Sequence, residues 1–199
     1  MTYPAFFETT TSITLKDPLS EALGAFDEGL ITYTYLDVVK TAGHSCPTVA
    51  GAYLMVREGL KALYGSDVPL RGGIKVYFKE AQTEGVTGVV GNVFSLITGA
   101  TDVWGFKGLS GQFARHHLME FNVSVPMSVR MERIDTNASV DIAYTPSILS
   151  SDEALQPLMK KLMLQLMTVE EKRVFRSLWQ AHVEKILENF DKVIVIKSS

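Results

Sequence analysis

The chain has 199 residues, 46% hydrophobic and 21% charged, with a formal net charge of -3. That balance suits a globular protein able to bury a core, and without a Lys/Arg cluster it argues against a nucleic-acid partner. A single cysteine excludes an internal disulfide framework and a CxxC zinc knuckle.

Residues 1–12 lack the basic-then-apolar pattern of an export signal. No run of about 18 apolar residues is present to span a membrane, so the expectation is a cytoplasmic protein. Ile13 and Leu15 alternate with polar residues, as in a short strand. Asp17-Pro18 is a cap followed by a first-turn proline and predicts a helix to about Ala25. Gly29 to Tyr33 reads as strand or turn. Tyr35 to Thr41, with Leu36 and Val39 three apart, predicts one or two helical turns ending at Ala42-Gly43.

The next residues, Gly43-His44-Ser45-Cys46-Pro47, hold the lone cysteine and one of four histidines. Pro47 is placed to open a helix, and Thr48 to Tyr64 is apolar at helical spacing through Val49, Tyr53, Val56, Leu60 and Leu63. Cys46 therefore caps that helix. Free amides and the positive end of a helix dipole favour thiolate, the form that binds metals and attacks electrophiles.

Gly65 to Gly73 is turn-rich, and Ile74 to Lys79 alternates as a strand. Gly85 to Gly99 is ambiguous: its glycines argue for close backbone packing, while Val89, Val93, Leu96 and Ile97 form a helix face. A glycine-rich loop, Gly105 to Gly111, precedes Arg115, His116 and His117. Met119 to Val125, Ser128 to Ile134 and Ser139 to Tyr144 alternate, and Asp135-Thr136-Asn137 turns the last two into a hairpin. Pro146 to Asp152 reads as a linker. Two helices follow, one with Leu155, Met159, Leu162, Met163 and Leu166 on one side. The other is opened by a Thr168 to Glu171 capping box and carries Phe175, Leu178, His182 and Ile186. Lys192 to Lys197 is a final strand. Without a βαβ rhythm the fold class is α+β, a mixed or antiparallel sheet packed with helices. Residues 1–145 form the core with the His-x-Cys motif. Residues 146–199 form a C-terminal helical pair and strand within the same domain.

Gly43-His44-Ser45-Cys46-Pro47 with Ala50-Gly51-Ala52-Tyr53 resembles the FmdE-like family of formylmethanofuran dehydrogenase, marked by a GHxCPG-like turn that opens a helix with a Gly-Tyr pair. Ile97-Thr98-Gly99-Ala100-Thr101 is similar to a second feature, a helix ending in Thr-Gly before a glycine-containing loop. The resemblance spans Leu36 to Val125. It implies an α+β core forming an intertwined homodimer, with a metal held in a cleft by the motif His and Cys. The chain lacks the family's zinc finger, has Thr48 where glycine is common, and has Ala100 where cysteine is common.

His44 and Cys46 are thus expected to bind a divalent transition metal, zinc before nickel or iron, with His116 or His117 as a third ligand. Alternation along a strand would let only one of those two face the site. Alternatives are a thiol enzyme with Cys46 as catalytic nucleophile and His44 as base, and a non-catalytic accessory module of a redox enzyme. Non-covalent haem is a further option, since no CxxCH attaches haem covalently. The expected ligand is an unknown small molecule. Asp27 and Glu28 are candidates to orient His44. His182 and the Met159, Met163, Met167 row read as core or interface.

Overall fold

Alternation at Ile74, Val76 and Phe78 puts three apolar side chains on one strand face, and the main sheet is built outward from that strand. The computed structural model describes residues 3–198. Its helices are α1 (Phe6–Thr9), α2 (Pro18–Ala22), α3 (Tyr35–Ala42), α4 (Pro47–Tyr64), α5 (Thr87–Thr98), α6 (Leu155–Met163), α7 (Val169–Glu188) and α8 (Phe190–Val193). Its strands are β1 (Ile13–Lys16), β2 (Leu30–Tyr33), β3 (Ile74–Phe78), β4 (Met119–Glu120), β5 (Val129–Arg133), β6 (Ser139–Tyr144) and β7 (Ile194–Ser198). The class is α+β, as expected.

The main sheet runs β4-β3-β5-β6-β7, antiparallel except for the parallel β3–β4 pair. Register aligns Val76 with Met131 and Met131 with Val140, all buried. β7 pairs with β6, so the C-terminus completes a sheet begun by the central strands.

Helix α4 lies against this face. A Cβ on Gly59 would come within 2.5 Å of Met131 Sδ and 2.6 Å of Ile142 Cδ1. Glycine here brings helix and sheet closer than any side chain allows. α4 also packs on α5 and α7. Ala50, Ala52, Leu54 and Met55 are therefore buried as well as Val49, Tyr53, Val56 and Leu60 of the expected stripe, while Leu63 is half-buried, and α4 is a central helix rather than an amphipathic one.

The β1–β2 hairpin forms a separate small sheet. Asp17, which leaves it, caps α2 by accepting from the amides of Leu19 and Ser20. Its carboxylate also meets Arg71 at 3.0 Å and Arg115 at 2.6 Å. Arg115 Nη1 donates to the carbonyl of Arg71 at 2.7 Å and occupies the space a Cβ on Gly72 would fill, 1.1 Å away. Burial pushes this guanidinium down in proton affinity, and Asp17 opposes that. One buried ion cluster thus joins the hairpin, the approach to β3 and the loop before β4.

Several boundaries differ from expectation. α2 stops at Ala22. Within Gly85 to Gly99, Thr87–Thr98 is helix, capped by Gly99. Of Met119 to Val125 only two residues pair, because Asn122 takes a positive φ of 59°. Lys192 and Val193 end a helix, and the strand begins at Ile194. α6 ends at Met163, leaving Leu166 outside it, and Leu162, Met163 and Leu166 are exposed. On α7 the fully buried residues are Val183, Ile186 and Leu187; of the expected face Ile186 is buried, and Phe175, Leu178 and His182 are half-buried. Among the described residues no helix is long and apolar enough to cross a membrane.

Removing the carboxylate at Asp17 would leave two guanidinium groups facing each other in a buried site. Asp17→Ala is expected to cost about 3–5 kcal/mol. Lys16→Ala, at an exposed pair with Glu21, should cost under about 1 kcal/mol. Urea unfolding of the two variants measures the contrast.

Candidate functional site at the His44 to Cys46 turn

Helix α3 ends because Gly43 takes a left-handed conformation, with φ of 75°. Helix α4 begins four residues later at Pro47, whose missing N–H costs nothing at a helix start. The three residues between are held tightly. Cys46 is the N-cap with extended backbone, and its Sγ accepts from the Val49 amide at 3.5 Å. Ser45 is buried, its hydroxyl hydrogen-bonded to the Tyr35 phenol at 3.0 Å. The Ser45 carbonyl accepts from Trp179 Nε1 at 2.9 Å and from Gln180 Nε2 at 3.4 Å, both on α7.

His44 is exposed and Cys46 half-buried, yet Nε2 and Sγ lie 3.3 Å apart. On the other side of the ring, Nδ1 lies 2.9 Å from the carbonyl of Ala42. A carbonyl only accepts, so Nδ1 carries the proton. Nε2 therefore meets the sulfur with one proton to share between them. That proton can sit as S–H on a neutral imidazole or as N–H beside a thiolate.

Two tyrosines escaped the sequence reading. Tyr144, at the end of β6, donates to the carbonyl of Pro47 at 2.8 Å. Its ring lies over Gly51, where a Cβ would approach it to 2.2 Å. Burial pushes the phenols of Tyr35 and Tyr144 well above their ordinary range, and the nearby Cys46 pushes in the same direction. Both stay protonated, as donors or neutral walls. Gly51 inside an apolar helix was the visible signal for the Tyr144 seat. Trp179 left none, since its partner is a backbone oxygen.

Among the described residues the other candidates do not join His44 and Cys46 in a metal-holding group. His116 and His117 sit in a loop, not a strand. His117 takes φ of 56°, and the rings lie side by side with centroids 4.5 Å apart. The alternation argument therefore does not apply to them, and their neighbour Arg115 belongs to the buried ion cluster. Among the described residues no group of three or more His, Cys, Asp or Glu side chains comes together to hold a metal. Asp27 and Glu28 are exposed in a short turn, and His44 is oriented by the Ala42 carbonyl instead. Met163 is exposed and Met167 buried, so the methionine row does not share one environment. His44 also lines a pocket of about 370 Å³ between α3, α5 and Trp104.

His182 on α7 is half-buried with Nδ1 unpartnered among the described residues. Burial first, then Lys185, holds its imidazole below the usual 6.5. The unfolded chain therefore takes up this proton before the folded one. The associated stability is fully present above pH 6.5 and is lost as pH falls below it. His182→Leu should flatten that loss, which thermal unfolding at neutral pH and about pH 5.5 measures.

No family model matches the chain, and no curated protein matches it. Among solved structures the chain is similar to a tungsten formylmethanofuran dehydrogenase FmdE-like protein from Syntrophus aciditrophicus. The two are 14% identical, the match covers 84% of this chain and 72% of that one, and the TM-score is 0.41.

Proposed function

We propose that the His44–Cys46 turn is an open transition-metal site, with zinc the ion its donors suit best, in a protein whose reaction is unassigned. The observation that carries this is the 3.3 Å approach of Sγ to Nε2, with Nδ1 already satisfied by Ala42. Donors at about 2.3 Å (sulfur) and 2.0 Å (nitrogen) from a tetrahedral zinc lie about 3.5 Å apart. The pair is thus spaced to share one ion with little movement. A carbonyl that fixes the ring through its second nitrogen is the usual support of a metal-bound histidine. Two protein donors leave positions for water, a small molecule, or groups from a second copy of the chain. When bound, such an ion supplies Lewis-acid chemistry and acidifies water. Self-association is part of this reading: Met163, Leu164, Leu166 and Val169 form an exposed apolar run that a second copy would cover.

A second reading is favoured by the same hydrogen bond. Nucleophile, base and a third group orienting the base are the parts of a thiol catalyst. Here they are Cys46, His44 and the Ala42 carbonyl. In that reading His44 takes the thiol proton as sulfur attacks an electrophilic carbon.

Elemental analysis of the purified wild type beside Cys46→Ser and His44→Ala separates the two. The metal reading expects stoichiometric ion in the wild type and its loss in both variants. A metal-free wild type whose Cys46 is alkylated rapidly by iodoacetamide near neutral pH, and slowly in His44→Ala, would replace it with the thiol reading. Metal-free protein with an inert Cys46 would remove both.

A further inference from the structure

We infer that the pocket beside His44 takes a neutral small organic molecule with an apolar body and one hydrogen-bonding end. The inference deepens the reading of the His44–Cys46 turn, naming the class of ligand brought to it.

The pocket's volume of about 370 Å³ equals roughly a dozen waters at about 30 Å³ each. That suits a ligand of one or two rings. One wall is α5, where Val89, Asn92, Val93 and Leu96 recur at i, i+3, i+4 and i+7. Val93 is buried, but Val89 and Trp104 leave apolar surface in water, at 37% and 57% exposure. Covering such surface stabilises a complex.

No Asp, Glu, Lys or Arg lines the pocket. A phosphate or carboxylate entering it would give up water and meet no lysine or arginine to offset the loss. Hydrogen-bonding capacity is nonetheless present. Asn92 and Ser95, three apart on α5, make no side-chain hydrogen bond among the described residues. The Thr41 hydroxyl donates to the Asp37 carbonyl, which leaves it an acceptor. Neutral donors and acceptors with no fixed charge select an uncharged polar end.

The wall at Trp104 is pre-formed. The Thr101 hydroxyl is shared between the carbonyls of Trp104 and Arg115, and the amides of Arg115 and His117 return to Phe106 and Asp102. Arg115 in turn is fixed on Asp17. The loop that carries the indole is thereby anchored in the core, and little ordering is left for a ligand to impose.

Naphthol and naphthalene sulfonate share a ring system and differ in charge, and calorimetric titration of both tests the inference. Naphthol should bind at one site, with the sulfonate at least about tenfold weaker. Val89→Trp, which fills the space, and Trp104→Ala, which removes a wall, should each weaken naphthol at least about tenfold. Asn92→Leu should weaken it several-fold. Phe106→Ala, outside the pocket, should leave it unchanged. Thermal unfolding checks that each variant is folded, and Trp104→Ala, at an exposed position, serves if Val89→Trp is not. Equal binding of the two probes, or wild-type affinity in the folded pocket variants, would overturn the inference. Cys46→Ser should keep naphthol binding while losing metal. A protein that binds naphthol but never metal would retain the pocket and overturn the metal reading, and the reverse result would do the opposite.

Discussion

The peptide that joins Ser45 to Cys46 is gripped from both sides of the chain, and the geometry of the donor pair follows from that grip. Its carbonyl accepts the indole N–H of Trp179, 134 residues away, while the Ser45 hydroxyl is tied to a buried phenol on α3. Each bond is worth about 1 kcal/mol net. Their importance is directional, because they fix the backbone between His44 and Cys46. Trp179 is itself held by a helix whose Val183, Ile186 and Leu187 sit in the core. The far end of the chain is thus a structural part of the turn.

The same helix opening is held from the sheet. Tyr144 reaches the carbonyl of Pro47 only because Gly51 leaves room for its ring, and Gly59 lets the rest of α4 settle on Met131 and Ile142. A second anchor is the Asp17 carboxylate, which gathers Arg71 and Arg115. It positions the loop bearing Trp104 and so the pocket wall near His44. Of the run Arg115-His116-His117, the arginine is structural, and among the described residues neither histidine joins the donor pair in a group able to hold a metal.

Much of this was legible from local signals. Pro47 after Cys46 marked the helix start, Gly43 the preceding stop, and Thr168 with Glu171 the opening of α7, all of which act through a few neighbouring backbone groups. The α+β class followed from alternating and helical periods along the chain. What escaped depends on distant partners. The burial of α4 on nearly every side needs the sheet, α5 and α7 together. The Asp17 cluster joins residues 54 and 98 positions apart. The reach of Nε2 to Sγ required knowing that the Ala42 carbonyl turns the ring. For His116 and His117 the strand alternation does not hold, because His117 takes a positive φ in the loop before β4.

Whether the pair acts as a metal chelate or as a thiol and its base, the central claim is that sulfur and imidazole nitrogen face one point. Titration of the metal-free protein with cobalt(II), followed by absorption, tests it most directly. One ion on both donors predicts a thiolate-to-cobalt charge-transfer band in the near ultraviolet that Cys46→Ser abolishes and His44→Ala weakens or shifts. Cobalt bound without that band, or a band indifferent to His44, would contradict the account.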